Sequence, residues 1–261
     1  MTNTRLALIT GASNGIGLEL AKQFAEHGYD LVVAAEDDGI NDVPGKLAPF
    51  GVQVQPVQVD LRKPDDVERL YATATEGGRA VTAAALNAGV GTGDMFLETD
   101  LAQDMSVVDL NVRSTVHLAK LVLRDMADRD EGKVLFTSSV ASMMPGSYQS
   151  VYNASKSFVQ SFSEALRDEL RNTSITITAL MPGPTATNFF HRAGLDDTRV
   201  GKMSKDDPAQ VAKQGFEALM SGHQKVVGGS LSSKAMGTVS RVLPDSLKAI
   251  GSRVISVPLS R

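Results

Sequence analysis

The chain of 261 residues contains no cysteine and no long apolar run, and each absence excludes a class of protein. Without cysteine there are no disulfides and no thiolate metal sites, although the redox compartment stays undetermined. No run approaches the ~18 consecutive apolar residues of a membrane-spanning helix, so we expect no membrane span. The four histidines are scattered, and none has a ligand-like partner at helical spacing. The sequence therefore predicts no bound metal.

A basic surface is also missing, because 30 Asp and Glu residues outnumber 26 Lys and Arg residues, giving a net charge of −4. Nucleic-acid binding by a cationic face is therefore not expected. The first residues, Met1 to Arg5, lead directly into an apolar run, without the cationic and long apolar regions of a secretion signal. We expect a cytoplasmic protein.

Short β-branched runs alternate with longer segments of helical period. The strand candidates are 6–10, 31–35, 52–57, 81–86, 133–137, 175–180 and 225–227. The helix candidates between them are 15–26, 64–75, 101–128, 151–171 and 208–220. This alternation predicts an α/β fold, with helices on both faces of a parallel sheet. The connection 37–49 gives only a weak signal, because Gly39, Pro44 and Gly45 interrupt any helix there.

Two segments depart from the alternation. The segment 184–205 follows a strand and is long for a loop. Such a loop at the carboxyl edge of a sheet often covers a substrate, and a plain surface insertion is the alternative. The segment 230–261 is basic, and we expect a solvated terminal helix rather than contact with a membrane surface or a partner. No repeat or linker divides the chain, so we predict one domain spanning residues 1–261.

A glycine-rich turn follows the first predicted strand, with Gly11, Gly15 and Gly17 in the spacing Gly-x-x-x-Gly-x-Gly. Glycine at these positions lets the backbone bend sharply, lets a pyrophosphate approach the amides, and lets the next helix pack closely on the sheet. Taken alone, the motif is also compatible with a tight strand–helix turn that binds nothing.

Two further strand ends carry residues suited to a dinucleotide. Asp60 and Leu61 end the third strand, where a carboxylate can accept a hydrogen bond from an adenine amino group. Asn87, Ala88 and Gly89 end the fourth strand, where small residues leave room for a ribose. Because the carboxyl ends of parallel strands meet in one crevice, these residues and the glycine turn together predict a dinucleotide site.

The second strand ends in Glu36, Asp37 and Asp38, which bears on the choice of cofactor. An acid here can accept hydrogen bonds from ribose hydroxyls and repels a 2′-phosphate, whereas a phosphate site is expected to carry Arg or Lys. No basic residue lies at this strand end or in the glycine turn. We therefore predict NAD in preference to NADP, with a solvated acidic turn as the alternative interpretation.

Tyr152 and Lys156 stand four residues apart in a predicted helix and share one of its faces. A free tyrosine has a pKa near ~10, and a nearby ammonium lowers that pKa by favouring the phenolate. We expect this effect to let Tyr152 exchange a proton near neutral pH.

Ser139 closes the fifth predicted strand and is placed to hold a carbonyl oxygen or a developing alkoxide, with the adjacent Ser138 as its rival. Asn111 lies among apolar residues of a long predicted helix. A buried amide there needs a partner, so we expect Asn111 either to organise a water next to Lys156 or to be structural.

With these residues assembled, the chain strongly resembles the short-chain dehydrogenase/reductase family. The matching elements, in family order, are Thr10 to Gly17, Asp60-Leu61, Asn87-Ala88-Gly89, Asn111, Ser139, Tyr152-xxx-Lys156 and Pro182-Gly183-xxx-Thr187. The resemblance implies a doubly wound Rossmann-type domain with a seven-stranded parallel sheet. It also implies a catalytic set of Asn111, Ser139, Tyr152 and Lys156.

The resemblance further implies a role for each residue. Tyr152 exchanges the proton, Ser139 positions the carbonyl, Lys156 also binds the nicotinamide ribose, and Asn111 supports a proton relay. Thr187 contacts the carboxamide. The cofactor-binding residues are Gly11, Ser13, Asn14, Gly15, Ile16, Gly17, Glu36, Asp60, Leu61, Asn87, Ala88, Gly89, Tyr152, Lys156, Pro182, Gly183 and Thr187.

The chain departs from the family pattern in two places. Many NADP-dependent members carry Arg near the position of Ala35 or Glu36, and NAD-dependent members often have Asp where Ala35 stands. Glu36 therefore supports NAD. The tail lacks the ending of many tetrameric members, which favours a homodimer through the helices 101–128 and 151–171 over a tetramer.

The sequence thus predicts reversible oxidoreduction of a small carbonyl compound or secondary alcohol. Candidate pocket residues, any of which can instead be core or lid packing, are Val90, Met95, Met143, Met144, Tyr148, Phe189, Phe190 and Leu195. Their apolar character suggests a hydrophobic substrate. One alternative is a reductase of 3-oxoacyl thioesters, for which only Arg113, Arg124 and Arg129 hint at a docking patch, although a solvated helix face explains these arginines better. The other is a catalytically silent nucleotide-binding regulator, against which the intact catalytic set argues.

Overall fold

The first strand shows how an apolar run becomes the centre of a sheet. In the computed structural model, which describes residues 5–242 and 244–257, all five residues of Leu6–Thr10 are buried. Leu6 and Leu8 join one hydrophobic cluster, whereas Ala7 and Ile9 join another, because successive side chains of a strand point to opposite faces. A strand buried on both faces lies between two layers of helices.

Seven parallel strands in this part of the chain form one sheet, in the order β3-β2-β1-β4-β5-β6-β7. They are β1 (Leu6–Thr10), β2 (Asp30–Ala35), β3 (Val54–Gln58), β4 (Val81–Leu86), β5 (Gly132–Thr137), β6 (Ile175–Pro182) and β7 (Lys225–Gly228). This arrangement confirms the predicted α/β fold with a doubly wound, seven-stranded parallel sheet. Every predicted strand is present, with small shifts at its ends.

Helices cover both faces of the sheet. They are α1 (Gly15–Glu26), α2 (Val43–Leu47), α3 (Pro64–Ala74), α4 (Leu101–Val108), α5 (Ser114–Arg129), α6 (Ser150–Glu169), α7 (Phe189–Arg192), α8 (Arg199–Lys202), α9 (Pro208–Met220), α10 (Leu231–Val242) and α11 (Asp245–Ser256). Residues of α1, α2 and α9 pack on one face, and residues of α3, α5 and α6 pack on the other. None of the described helices is long and apolar enough to cross a membrane.

Two local predictions need correction. The connection 37–49 is helical after all, in short pieces: 3-10 turns at Asp38–Asp42 and Ala48–Phe50 flank α2. Proline stands in the first turn of α2, where the helix needs no N–H group from it. The predicted helix 101–128 is divided by a π-helical segment, Asp109–Arg113, of the kind often found at functional sites.

The segment 184–205, which we call the lid segment, contains α7 and α8 beside the carboxyl edge of the sheet. Its buried apolar residues form a small cluster of their own, and Ile255 of α11 packs against that cluster. The prediction of a solvated terminal helix is therefore wrong for α11, because Ser252 and Ser256 on its inner side are buried. Residues 1–4, 243 and 258–261, including Arg261 of the basic tail, lie outside the described residues.

The winding of the sheet reverses beside β1, which pairs with β2 on one side and with β4 on the other. In doubly wound sheets the loops that follow such neighbouring strands run in opposite directions and leave a crevice at the carboxyl ends. The predicted site residues follow the carboxyl ends of β1 to β6, so this edge of the sheet is where they meet.

Candidate active site

The glycine turn between β1 and α1 has a shape that side chains would prevent. Gly11 and Gly15 have φ angles of +66° and +58°, in the left-handed region that favours glycine. A Cβ atom on Gly17 would lie 2.0 Å from the Gly11 carbonyl oxygen. The first turn of α1 contains no acidic residue, so its amide groups present a positive partial charge to the crevice. This cradle fits a pyrophosphate.

Three polar side chains hold neighbouring strand ends in register. The Thr10 hydroxyl accepts hydrogen bonds from the backbone amides of Asn87 and Ala88, both at 3.0 Å. Asn87 Nδ2 donates to the Thr10 carbonyl at 3.2 Å, and the Thr137 hydroxyl donates to Asn87 Oδ1 at 3.1 Å. Asn87 therefore uses its side chain to join β1, β4 and β5, while Ala88 and Gly89 give the crevice a small-residue wall.

Two arginines reach the end of the crevice where the sequence predicts adenosine. Glu36, just after β2, forms ion pairs with Arg62, from the loop after β3, and with Arg192 of α7. The premise that no basic residue lies at this end is therefore wrong. Arg62 and Arg192 are 26 and 156 positions away from Glu36 in the chain, and only folding brings them together.

Arg62 also keeps Asp60 ionised. Burial acts to raise the pKa of the Asp60 carboxyl, but hydrogen bonds from the Arg62 side chain and backbone outweigh it and hold that pKa below its usual value. The Arg62 Nε donates to Asp60 Oδ1 at 2.7 Å. On the other side of Glu36, Asp37 accepts a hydrogen bond from the Ser13 hydroxyl at 2.8 Å, which ties the glycine turn to the end of β2.

Tyr152 and Lys156 are both buried on α6 at the opposite end of the crevice. Lys156 Nζ donates to the Thr137 carbonyl oxygen at 2.9 Å and lies 6.0 Å from the centre of the Tyr152 ring. Burial raises the pKa of Tyr152 to about 12, and hydrogen bonding to Ser139 acts in the opposite direction. Burial lowers the pKa of Lys156 to about 8. The expectation that Lys156 lowers the Tyr152 pKa is thus wrong for the polypeptide by itself, because lost hydration dominates both groups.

The two serines after β5 have different partners. The Ser138 hydroxyl donates to the backbone oxygen of Lys156 at 3.0 Å and is committed to α6. The Ser139 Oγ accepts a hydrogen bond from the Ala141 amide at 3.1 Å, and the effect of Ser139 on Tyr152 is to lower the pKa of that side chain. Ser139 is therefore the hydroxyl that stands beside the tyrosine.

Asn111 lies in the π-helical segment, behind the wall of the crevice. Its Oδ1 accepts from the Val90 amide and its Nδ2 donates to the Val90 carbonyl, both at 2.9 Å. Its Nδ2 also donates to the Ser155 hydroxyl at 2.9 Å. A Cβ atom on Gly89 would lie 3.1 Å from both Asn111 Oδ1 and Lys156 Nζ. Asn111 thus holds the loop after β4 against α6, and its part in a proton relay stays a prediction.

The lid segment contacts both ends of the crevice. The ring of Phe189 lies 5.0 Å from the ring of Tyr152, measured between centroids. A Cβ atom on Gly15 would meet the Thr187 methyl group at 2.9 Å. From α11, Ser256 accepts a hydrogen bond from Gln149 Nε2 at 2.9 Å, so the C-terminal helix closes the remaining side.

The predicted site residues other than Asn111 therefore all line one crevice. Of the predicted pocket residues, those that line it are Val90, Met144, Phe189 and Phe190, and those that do not are Met95, Met143, Tyr148 and Leu195. Lining residues that the sequence did not indicate include Gln149, Asn153, Arg192, Ser252, Ile255 and Ser256. Gln149 lies in a loop, Arg192 in α7, and Ser252, Ile255 and Ser256 in α11, where no local motif marks them, whereas Asn153 lies inside the Tyr152-xxx-Lys156 motif. Within the described residues, no group of three or more His, Cys, Asp or Glu side chains could hold a metal.

The crevice as a whole fits a nicotinamide dinucleotide. The glycine cradle at the N-terminus of α1 suits the pyrophosphate, and the acidic group after β2 suits a ribose. Lys156 and Tyr152 lie where the second ribose and the nicotinamide would reach along the same crevice.

Comparison with known proteins gives the same family throughout. A family model described as short chain dehydrogenase matches residues 5–198. An uncharacterised short-chain type dehydrogenase/reductase of Sinorhizobium fredii is 34% identical over 222 residues, covering 84% of this chain and 85% of the relative.

Two solved structures are similar to this chain in three dimensions. A short-chain dehydrogenase from Sphingobium yanoikuyae in complex with NADPH has a TM-score of 0.80 and 28% identity, covering 85% of this chain and 87% of that chain. A short-chain dehydrogenase/reductase from Burkholderia phymatum in complex with NAD has a TM-score of 0.83 and 25% identity, covering 92% of each chain. The chain therefore belongs to the short-chain dehydrogenase/reductase family, and it is an oxidoreductase that acts on CH–OH groups with NAD or NADP.

Proposed function

We propose that this enzyme interconverts an apolar ketone and the corresponding secondary alcohol, with Tyr152 as the group that exchanges the proton. The observation that carries the proposal is the meeting of Ser139, Tyr152 and Lys156 at one end of the crevice, beneath the aromatic ring of Phe189. The segment 184–205 serves as the substrate lid. The protein acts as one domain and, as the sequence predicts, in the cytoplasm.

Each polar side chain has a distinct task in this proposal. The nicotinamide, when bound, supplies or accepts the hydride at the substrate carbon. The Ser139 hydroxyl donates a hydrogen bond to the substrate oxygen, and the Tyr152 hydroxyl gives a proton to that oxygen or takes one from it. Lys156, fixed on the Thr137 carbonyl, binds ribose hydroxyls, and its positive charge works against the effect of burial by favouring the phenolate of Tyr152. Asn111 keeps the loop after β4 in place behind it.

The substrate end of the crevice supports an apolar substrate. Its lining includes Met144, Phe189, Phe190, Val200 and Ile255, from a loop, the lid segment and α11. Burying a hydrocarbon against such a surface is favourable because it removes apolar area from water.

The preference for NAD rests on the charges at the other end. Glu36, Asp37 and Asp60 bring three carboxylates to the crevice, against the two guanidinium groups of Arg62 and Arg192. A net negative end disfavours a 2′-phosphate. In fluorescence titrations of the purified protein we expect NADH to bind at least about tenfold more tightly than NADPH, equal to about 1.4 kcal/mol. Tighter binding of NADPH would overturn the preference and leave the oxidoreductase assignment intact.

A reductase of 3-oxoacyl thioesters is the second candidate, and the structure weakens its main support. Two of the three arginines considered for a docking patch are paired with acids of their own helical segment: Arg113 with Asp109 at 3.3 Å, and Arg129 with Asp125 at 2.6 Å. Within the described residues, Arg124 is the one arginine of these three without an ion pair.

A substrate panel separates the candidates. Aliphatic and aryl ketones, their alcohols and a 3-oxoacyl thioester are offered with each nicotinamide nucleotide, and absorbance at the nicotinamide band is followed. We expect turnover of the apolar ketones. Turnover of the thioester alone would identify a reductase of 3-oxoacyl thioesters. Tight nucleotide binding without any turnover would identify a catalytically silent regulator.

The proposed enzyme is a homodimer formed through α4, α5 and α6. Large apolar residues are exposed on α4, on α6 and on the loop before α4, namely Met95, Phe96, Leu97, Leu101, Met105 and Phe158. Phe96 also lines a shallow groove between the π-helical segment and α6. An apolar face of this extent is typical of a protein interface.

Phe158→Glu is expected to convert the dimer to a monomer, because it places a charge on that apolar face. Phe158 is 39% exposed, and Phe50, which is 37% exposed and lies on the far side of the sheet beside β3, provides the matched control Phe50→Glu. Sedimentation velocity measures the outcome. A wild-type monomer, or equal effects of the two substitutions, would contradict this interface.

A further inference from the structure

Glu36 is the shared partner of two guanidinium groups that approach from different parts of the fold. Arg62 follows β3, beneath the crevice, and Arg192 ends the lid helix α7. Each arginine pairs with a different oxygen of the carboxylate, Arg62 with Oε2 and Arg192 with Oε1. Both carboxylate oxygens of the residue expected to bind the adenosine ribose are therefore already engaged by positive charge.

Arg62 is held by more contacts than Arg192. Arg62 also donates to Asp60 at 2.7 Å and to the Ser106 hydroxyl at 3.2 Å. Arg192 is about half exposed, and within residues 5–242 and 244–257 its side chain has Glu36 as its one ion-pair partner. Removing the Glu36 charge would thus leave Arg62 in place and release Arg192 into the crevice that it lines.

Two physical explanations can account for a preference for NAD, and they differ in the role of Arg192. In the first, Glu36 repels the 2′-phosphate directly, and Arg192 is irrelevant. In the second, Glu36 occupies guanidinium groups that would otherwise bind that phosphate. Guanidinium groups bind phosphate with paired, charge-assisted hydrogen bonds, so two of them beside one ribose would form a strong phosphate site.

We propose that Arg192, on the lid, is a cofactor-specificity residue that Glu36 keeps from binding a 2′-phosphate. Because both arginines contact the one carboxylate, a phosphate group at the position of that carboxylate lies within reach of both. Cofactor choice is then decided by competition between two anions for the same two cations. This inference rests on the proposed preference for NAD.

A double-mutant cycle on the full-length protein tests the proposal, with NADPH and NADH as titrants. We expect Glu36→Gln to tighten NADPH binding by about tenfold to 100-fold, the range of one hydrogen bond to a charged group, with much less change for NADH. Adding Arg192→Gln to Glu36→Gln should abolish most of that gain. Arg192→Gln alone should change NADPH binding by less than about threefold.

The outcomes separate the inference from the proposed function. A gain from Glu36→Gln that is equal with and without Arg192 would show direct repulsion and overturn the inference, as would no gain at all. Tighter binding of NADPH by the wild-type protein would instead contradict the preference for NAD, before any variant is made. Glu36→Gln combined with Arg192→Lys should keep part of the gain, because the charge remains, and this variant excludes a merely structural loss.

Discussion

Replacing Tyr152 with phenylalanine is expected to lower kcat by about 10²-fold to 10⁴-fold, the range for removing a general acid–base group. The substitution deletes one hydroxyl and keeps the ring, which is buried and contacts Phe189 at 5.0 Å between centroids. Nucleotide binding should therefore change little. Initial rates with a ketone of the panel measure the loss, and a titration with NADH in the same preparation shows that the crevice is intact.

The matched control for this prediction is Tyr29→Phe. The Tyr29 hydroxyl contacts the Met220 sulfur at 4.0 Å, within the cluster under α1 and α9 and away from the crevice. Tyr29→Phe removes the same hydroxyl group from the same type of side chain, but at a site away from the crevice. Near-normal turnover is therefore expected. If Tyr152→Phe also kept near-normal turnover, Tyr152 would not be the proton-exchanging group.

Lys156 is expected to make the stability of the protein rise with pH. Burial lowers the pKa of Lys156 to about 8 from an ordinary value of 10.5. Between these two values the unfolded chain still binds the proton that the folded protein has lost. The free energy of unfolding therefore increases with pH across this window, because the unfolded state binds more protons there.

Lys156→Met removes this dependence and provides the measurement. The wild-type free energy of unfolding, relative to that of the variant, is expected to increase by about 2 kcal/mol between about pH 7 and pH 9.5, from about 1.5 pH units at 1.4 kcal/mol each. Tyr152 acts in the opposite sense, but only above about pH 10, because burial raises its pKa to about 12. Urea unfolding of the wild type and of the variant at both pH values gives the difference in their free energies of unfolding at each pH.

An exposed lysine serves as the control for this experiment. The Lys213 side chain is 64% exposed, and Lys213→Met provides the control because it makes the same replacement at the surface of the protein. If the free energy of unfolding changed with pH equally in the wild type and in Lys156→Met, Lys156 would have to be hydrated in the folded protein. Hydration of Lys156 would also remove the argument that its buried charge stabilises the phenolate of Tyr152.

The elements that the sequence predicts best are those specified by neighbouring residues. The apolar run Leu6–Thr10 and the spacing of Gly11, Gly15 and Gly17 specify a buried strand, a sharp turn and a helix start. The strand and helix pattern also specifies the parallel sheet, because crossover helices place successive strand ends on one edge. Tyr152 and Lys156 share a face because of helical period alone.

The sequence by itself therefore determined the family, the sheet and the crevice in which the chemistry is placed. Only the tertiary structure decided which groups share an environment. It bonded Ser138 to α6 and placed Ser139 beside Tyr152, and it brought Arg192 to Glu36 across 156 positions of the chain. It also reversed the expected pKa shift of Tyr152, since burial depends on every element packed around the ring. Local spacing fixes which side chains lie on one element, whereas hydration and long-range ion pairs arise only when distant elements pack together.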